Sequence, residues 1–313
     1  MKISSTVRRN MQVNGQGTAT IFGERQHTWA QFGDRIARLA AGLSGLGLDS
    51  GDRVAVLSLN NDRYMESYFG VPWGGYVLVP INTRLAPPEI EFWLNDSGST
   101  VLMVDEAFVE MVPKIQAHLE TVKHVVFLGD GPVPKGMISF EGLLEGVSPS
   151  EAADTASDDL AMLYYTGGTT GRSKGVMLSQ HNVLYDALLF APTVGYRDHS
   201  VYLHAAPMFH IADGTCTFAI ATAAGTSVII PGFEPKAALT AIQDHKVSVT
   251  LWVPTMINMA MHYPGVEDFD LSSMVDMMYG ASPMPEAVVR RAMEVMPHTR
   301  FHHAYGQTES API

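Results

Sequence analysis

A glycine-rich stretch from Tyr164 to Gly175 has the residue types that bind phosphate. It reads Tyr-Tyr-Thr-Gly-Gly-Thr-Thr-Gly-Arg-Ser-Lys-Gly, so every residue is glycine, hydroxylated or basic. Glycine lets the backbone approach an anion closely, while N–H groups, hydroxyls and an ammonium group can bind that anion. Apolar runs precede and follow the stretch, at residues 160–163 and 176–178. We therefore predict a phosphate-binding loop that leaves a buried strand.

The better-known glycine-loop motifs do not fit this stretch. A Walker loop needs Gly-Lys-Ser/Thr in sequence, but Lys174 stands between Ser173 and Gly175. A dinucleotide fingerprint is absent because the stretch contains no Gly-x-Gly-x-x-Gly. Residues 171–175 match the letters of a Gly-x-Ser-x-Gly nucleophile elbow, whose serine lies directly between a strand and a helix. Polar loop residues separate Ser173 from the strand before it, so we interpret this match as a coincidence.

Composition indicates a soluble globular protein of one large or two ordinary domains. The 313 residues are 46% hydrophobic and 17% charged. A net charge of −12 disfavours non-specific nucleic-acid binding. The single cysteine, Cys216, excludes a disulfide within the chain, favours a cytoplasmic setting and is interpreted as an inert buried thiol. No signal peptide, transmembrane segment or zinc motif is recognised.

Strands and helices alternate along the chain, which predicts an α/β fold. Runs such as 53–59, 76–80 and 249–253 are apolar throughout, as in parallel sheets that are covered by helices on both faces. Two consecutive βα systems are predicted, with mainly parallel sheets. We assign residues 50–185 to a first subdomain that ends in the glycine-rich loop, and residues 1–49 and 186–313 to a second. A single helix is expected over 106–119.

The glycine-rich stretch also carries a family resemblance. Residues 165–175 resemble the phosphate loop of the adenylate-forming superfamily, Tyr-Thr-Ser-Gly-Thr-Thr-Gly-x-Pro-Lys-Gly. That superfamily contains acyl- and aryl-CoA synthetases, the adenylation domains of peptide synthetases, and firefly luciferase. Gly167 replaces the usual serine and Ser173 the usual proline. Both keep a small residue in the loop, although Gly167 removes one hydroxyl donor.

Four further segments resemble motifs of the superfamily in the expected order. They are Gly75–Asn82, Pro207–His210, Tyr279–Pro285 and Tyr305–Glu309. The segment Pro-Met-Phe-His at 207–210 is typical of the acyl-CoA synthetase branch. The resemblance runs from about residue 20 to the last residue.

The resemblance implies a two-step reaction with ATP, Mg²⁺ and coenzyme A. A carboxylate attacks the α-phosphorus of ATP to give an acyl-adenylate and pyrophosphate, and a thiol then displaces AMP. The implied substrate is a small-molecule carboxylic acid, and the implied activity is that of an acid–thiol ligase. Because two anions meet in the first step, the site must neutralise charge.

Nucleotide-binding roles follow from the resemblance, residue by residue. The phosphate-binding set is Thr166, Gly168, Thr169, Thr170, Gly171 and Lys174. The adenine- and adenylate-binding set is Gly280, Ala281, Ser282, Tyr305, Gly306, Gln307 and Thr308. Glu309 is implied as a Mg²⁺ ligand, together with Thr170. The catalytic set is Lys174, His210, Thr308 and Glu309.

An acyl-binding set is implied around two strand ends. It comprises Met208, His210, Trp252, Val253, Pro254 and Thr255. Its apolar character favours a medium- or long-chain fatty acid or an aromatic acid over acetate, but which acid is left open.

The family protein is longer than this chain. No counterpart of its ribose-binding aspartate, hinge or lysine-bearing C-terminal domain is found, so we expect a truncated N-terminal part that is largely inactive alone. Two alternatives stay open: a non-catalytic nucleotide- or acyl-binding module, and an adenylation domain that loads a carrier protein. The sequence also leaves a homodimer open.

Overall fold

The computed structural model describes residues 1–167 and 171–312. Within these ranges the α-helices are α1 Ile3–Asn14, α2 Trp29–Gly45, α3 Asp62–Trp73, α4 Pro87–Asp96, α5 Val112–Ile115, α6 Phe140–Leu144, α7 Gln180–Thr193, α8 Ile211–Thr222, α9 Pro235–His245, α10 Pro254–Met261 and α11 Glu286–Val295. The strands are β1 Thr18–Phe22, β2 Arg25–Thr28, β3 Arg53–Leu57, β4 Val77–Pro80, β5 Ser99–Val104, β6 His124–Phe127, β7 Ile138–Ser139, β8 Leu160–Thr166, β9 Lys174–Ser179, β10 Val201–His204, β11 Thr226–Ile229, β12 Val249–Trp252, β13 Asp276–Gly280 and β14 Arg300–Ala304.

The described strands form two seven-stranded sheets. The first has the order β7-β6-β5-β3-β4-β8-β9, and the second has the order β14-β13-β12-β10-β11-β1-β2. The pairs β8·β9 and β1·β2 are antiparallel, whereas the other pairings are parallel. The predicted α/β class with mainly parallel sheets is therefore confirmed. Among the helices in the described ranges, none has the length and apolar character needed to cross a membrane.

The chain divides into two compact units. The first contains Met1–Val13, Ala30–Leu59 and Arg63–Leu184, and the second contains Asn14–Trp29, Asn60–Asp62 and the residues from Tyr185 onward. The sequence assigned residues 1–49 to the second subdomain, whereas α2 belongs to the first unit. Its Phe32 ring contacts the Phe69 ring of α3 edge-on, with 5.5 Å between the centroids. Only the segment with β1 and β2 joins the second sheet, because β1 pairs with β11.

The helix expected over 106–119 is not continuous. A 3₁₀ helix spans Glu106–Met111, α5 covers Val112–Ile115, and a second 3₁₀ helix follows at Gln116–His118. Proline lacks a backbone N–H and is favoured in the first turn of a helix, where that N–H would have no partner within the helix. Pro113 occupies a first-turn position in α5, so the α-helix begins at Val112 instead of at Glu106.

A buried carboxylate ties the last two strands of the second sheet together. Asp276 at the start of β13 is 1% exposed and accepts hydrogen bonds from Arg300 Nε at 2.8 Å and Nη2 at 2.7 Å. His302 Nε2 lies 2.7 Å from the same carboxylate. Burial alone would raise the pKa of Asp276, but Arg300 and His302 more than offset this and lower it below its ordinary value.

We expect the Asp276→Asn variant to lose less stability on acidification than the wild type. A depressed carboxylate pKa stabilises the folded state above the unfolded-state pKa of about 3.9, and this stabilisation is lost as pH falls through the folded-state value. The free energy of unfolding should therefore fall less steeply below about pH 4 in the variant, by up to about 1.4 kcal/mol per pH unit. Urea titrations from pH 3 to 7 measure this slope, and equal slopes in both proteins would contradict the assignment.

Candidate functional site

The glycine-rich stretch contains the end of β8 and the start of β9, which pair as an antiparallel hairpin in the first unit. Tyr165 pairs with Gly175 and Thr166 with Lys174, so the ladder continues to the last residue before the loop. Lys174 is exposed, as are Gly167 and Gly171. Three residues of the predicted phosphate-binding set, Gly168, Thr169 and Thr170, lie outside the described residues, and so does the predicted metal ligand at Thr170.

Aromatic contacts with α4 fix the base of this hairpin. The Tyr165 ring stacks on Trp93 with 4.8 Å between centroids, and its hydroxyl donates to Asp96 at 2.6 Å. The guanidinium of Arg172 lies 5.4 Å from the centre of the Phe92 ring. Burial, reinforced by Asp96, raises the pKa of Tyr165 far above its ordinary value, so the hydroxyl stays protonated. The loop therefore begins and ends on a base held by helix α4.

In the second unit, the segments that carry the predicted adenine- and acyl-binding residues follow strand ends at one edge of the second sheet. Strands β10, β12, β13 and β14 are mutually parallel neighbours, and their carboxyl ends meet at the same edge. The chain continues from these ends into residues 205–210, 253–255, 281–282 and 305–309. Ligands in α/β proteins bind outside the carboxyl ends of the strands. The structure thus brings together segments that are up to a hundred residues apart in sequence.

Strand β13 requires glycine at its last residue, directly before a turn. A Cβ atom on Gly280 would lie 2.3 Å from the Ala304 carbonyl oxygen of β14. Ala281 follows with φ +65°, a left-handed conformation that non-glycine residues seldom adopt. Ser282 is exposed next to it, and the Tyr279 ring stacks on His303 with 5.1 Å between centroids. A close strand approach and a strained turn thus present Ala281 and Ser282 at the sheet edge.

We expect Gly280→Ala to destabilise the protein by about 1–3 kcal/mol, because the added methyl group must push β14 away. The matched control is Gly232→Ala, since a Cβ at Gly232 meets no atom within 4 Å. Urea-induced unfolding of both variants measures the difference. Equal stability of the two variants would contradict the close approach of Gly280 and Ala304.

The segment after β14 forms an exposed turn that is anchored at its far end. Tyr305 is 82% exposed, and Gly306, Gln307 and Glu309 are exposed as well. Thr308–Ser310 make one 3₁₀ turn, closed by the Gln307 N–H donating to the Pro312 carbonyl at 2.9 Å. The Thr215 hydroxyl of α8 donates to the Ala311 carbonyl at 3.3 Å. A free aromatic face, a threonine and a carboxylate are therefore presented on a tethered turn.

Glu309 fits the donor chemistry of a Mg²⁺ ligand, because its exposed carboxylate is a hard oxygen donor. In the part of the chain that the structure describes, no group of three His, Cys, Asp or Glu side chains is arranged to hold a metal. A bound Mg²⁺ at this position would take most of its ligands from phosphate oxygens and water, as Mg²⁺ sites commonly do.

The predicted acyl residues differ in exposure. His210 is exposed at the N-cap of α8, and Met208 in the same loop is fully buried. Trp252 ends β12 within the hydrophobic core, where its ring meets Phe233 edge-on at 5.3 Å. Val253 is the N-cap of α10, which begins at Pro254, and Thr255 is exposed. Met208 and Trp252 therefore present no open surface in this conformation.

Sequence reasoning missed two sets of residues that support the site. Asn60 is 3% exposed and bonds to the backbone of residues 206 and 208, at the loop that leads to His210. His204 and Asp213 are fully buried and bond to each other across the same loop. For Asn60 the sequence offered an indication, because the polar run Asn60-Asn61-Asp62 follows an apolar run directly. For His204 and Asp213 no local pattern gave one, because only the fold brings them together.

Comparisons with known proteins agree with this arrangement. The family model described as "AMP-binding enzyme" matches residues 7–313. Feruloyl-CoA synthase from Amycolatopsis sp is 32% identical over 307 residues, which is 97% of this chain and 59% of that protein. A long-chain-fatty-acid–CoA ligase from Thermus thermophilus is 32% identical over 291 residues, 91% of this chain and 52% of that protein. The chain thus spans less than two thirds of the length of these relatives.

A solved structure extends the likeness to the fold. The anthranilate CoA ligase AuaEII, in complex with anthranoyl-AMP, superimposes with a TM-score of 0.91 at 26% identity. The match covers 96% of this chain and 59% of that one. With a family model that matches nearly the whole chain and relatives that are acyl- and aryl-CoA ligases, the chain belongs to the family of AMP-binding enzymes.

Proposed function

We propose that this chain carries the nucleotide- and acid-binding part of an ATP-dependent, AMP-forming acid–thiol ligase. The observation that carries the proposal is the shared sheet edge. The segments with Met208, His210, Ala281, Tyr305 and Thr308 follow β10, β13 and β14, whose carboxyl ends lie at the same edge of the second sheet. Sequence relatives named as CoA ligases support the same activity.

The chemistry assigned to this edge is adenylate formation. A carboxylate oxygen of the acid attacks the α-phosphorus of ATP, a new P–O bond forms, and the bond to pyrophosphate breaks. The thiolate of coenzyme A then attacks the acyl carbonyl carbon, and AMP leaves with the bonding electron pair. In this proposal Tyr305 packs on adenine, and Thr308 donates its hydroxyl hydrogen bond to the α-phosphate oxygen on which charge develops.

The glycine-rich loop is assigned to the β- and γ-phosphates. Thr166, Gly171 and Lys174 lie in or at the ends of the loop, and Lys174 adds the positive charge that compensates phosphate. Mg²⁺, when bound, would neutralise phosphate charge and orient the leaving pyrophosphate, with Glu309 as a protein ligand. His210 is proposed to lie where the acyl group and the thiol meet.

The acid is proposed to be a medium- or long-chain fatty acid or an aromatic acid. The named relatives include a feruloyl-CoA synthase and a long-chain-fatty-acid–CoA ligase. Met208, in the segment after β10, and Met256 of α10 are buried apolar side chains whose flexibility would let the surrounding packing adapt to such an acid. A cytoplasmic location and a homodimer stay predictions.

Thioester formation tests the acceptor. The protein encoded by the complete reading frame is incubated with ATP, Mg²⁺, coenzyme A and a panel of short, long and aromatic acids, and AMP and acyl-CoA are quantified. We expect equimolar AMP and acyl-CoA with at least one acid. AMP release that requires a carrier protein instead of coenzyme A would favour an adenylation domain, and binding of ATP without any turnover would favour a non-catalytic module.

A further inference from the structure

The loop between β10 and α8, residues 205–210, carries both Met208 and His210. It starts after His204, the last residue of β10, and ends at the N-cap of α8. This segment is called the β10–α8 loop below. Its conformation decides where His210 points, so the groups that fix it bear directly on the proposed acid site.

A buried pair joins the two ends of the β10–α8 loop. His204 and Asp213, which lies in the first turn of α8, are both 0% exposed, and His204 Nδ1 lies 2.7 Å from Asp213 Oδ2. A carboxylate can only accept, so Nδ1 carries the proton and donates it. The other carboxylate oxygen accepts from the Tyr202 hydroxyl at 2.9 Å. Among the described residues, His204 Nε2 has no hydrogen-bond partner, so Asp213 alone orients this ring by hydrogen bonding.

Asn60 fixes the middle of the β10–α8 loop. Its side-chain oxygen accepts from the Met208 backbone N–H at 2.8 Å, and its side-chain N–H donates to the Ala206 carbonyl at 2.8 Å. The Asn60 backbone N–H donates to the Pro231 carbonyl at 3.2 Å, in the loop that follows β11. The Asn60 side chain therefore holds two backbone groups of the β10–α8 loop, and its backbone N–H connects them to the segment after β11.

We propose that the His204–Asp213 pair and Asn60 form a clasp that holds the β10–α8 loop in the conformation that binds the carboxylic acid. The three side chains are positioning residues, which act through Met208 and His210 without contacting the acid. This inference rests on the proposed function of the same sheet edge.

The energetics of buried polar pairs support a positioning role. Burying polar groups is costly unless they are hydrogen-bonded, and replacing both partners by well-packed apolar groups is often nearly neutral for stability. The directional hydrogen bonds of such a pair instead specify one geometry. Side chains that contact a ligand need such hydrogen-bonded neighbours to stay in a productive position. A buried pair that closes a loop between a strand end and a helix start fits that use.

Three variants and one control test the clasp. His204→Phe keeps a ring but removes the donor, and Asp213→Asn keeps the shape but removes the charge. Asn60→Ser replaces the side-chain amide by a shorter hydroxyl group. The control is Thr250→Val, because the Thr250 hydroxyl is fully buried and donates to the Leu203 carbonyl of the same strand β10 at 2.9 Å. This control removes a buried hydrogen bond to β10 without touching the β10–α8 loop.

Two measurements are made on each folded variant. Hydrogen exchange of the 205–210 segment reports loop opening without any ligand. Equilibrium binding of AMP is compared with binding of acyl-sulfamate analogues of the adenylate, one with a long-chain and one with an aromatic acyl group. We expect amide exchange in the loop to accelerate about tenfold and analogue affinity to fall about tenfold, with AMP affinity within about twofold of wild type.

The outcomes separate the clasp from the proposed function. The clasp would be overturned if all three variants kept wild-type exchange rates and wild-type analogue affinities. It would also be overturned if the variants lost AMP affinity and analogue affinity equally. Faster exchange with unchanged analogue binding would overturn the positioning role. A wild-type protein that binds neither AMP nor either analogue would contradict the proposed function itself. The double variant His204→Phe/Asp213→Asn should bind the analogue no more weakly than the weaker single variant, because the pair acts as a unit.

Discussion

Replacing Lys174 with methionine is expected to weaken ATP binding by about 10- to 100-fold, because a charge-assisted hydrogen bond to phosphate contributes about 1.5–3 kcal/mol. The side chain is exposed, and its backbone pairs with Thr166 in the β8·β9 ladder. The variant keeps these backbone hydrogen bonds, so we expect it to stay folded.

AMP provides the internal comparison for Lys174. It lacks the β- and γ-phosphates that the glycine-rich loop is proposed to hold, so its affinity should change by less than about twofold. Lys135→Met is the matched control, since Lys135 is an exposed lysine in another loop of the first unit. Isothermal titration with ATP and AMP measures both affinities. Equal losses for the two nucleotides, or no loss for ATP, would contradict the assignment of the loop to the terminal phosphates.

Replacing Arg35 with methionine is expected to lower the free energy of unfolding by about 3 kcal/mol, because it breaks a buried ion pair and leaves a carboxylate behind. Arg35 on α2 donates to Glu66 on α3 at 2.6 and 3.1 Å, and to Glu141 on α6 at 3.0 and 2.9 Å. The Glu66 side chain is only 1% exposed. Burial alone would lower the pKa of Arg35, but Glu66 and Glu141 more than offset this and raise it.

The control for Arg35 is an ion pair on the surface. Arg290 and Glu286 of α11 lie one helical turn apart, and their side chains are 71% and 76% exposed. Exposed pairs of this kind contribute about 0.3–0.5 kcal/mol, so Arg290→Met should be nearly neutral. Urea-induced unfolding at pH 7 measures both variants. A loss below about 1 kcal/mol for Arg35→Met would contradict a structural role for the buried pair.

Much of the fold could be predicted because parallel sheets leave a strong local signal. Strands that are covered on both faces read as continuous apolar runs, such as Val54 to Leu57 in β3, which is fully buried. The glycine-rich stretch, which begins within β8, and the polar segments after β13 and β14 stand out for the same reason: each interrupts an apolar run near a strand end.

The remaining features depend on pairings that no local pattern reveals. Strand β1 pairs with β11, two hundred residues away, while the next helix, α2, packs with the first unit. The His204–Asp213 pair and the bonds of Asn60 arise only once β10, α8 and the segment after β3 are brought together. In a sequence, a buried histidine at a strand end looks the same as any core histidine.

Acid-dependent exchange of labelled pyrophosphate into ATP tests adenylate formation most directly, because it reports the reversible first step without any thiol. The protein encoded by the complete reading frame is assayed with ATP, Mg²⁺ and the panel of short, long and aromatic acids, beside its Lys174→Met variant. We predict exchange with at least one long-chain or aromatic acid, and a drop of about 10-fold or more in the variant at subsaturating ATP. Absence of exchange with every acid, in a protein that binds ATP, would contradict the proposal.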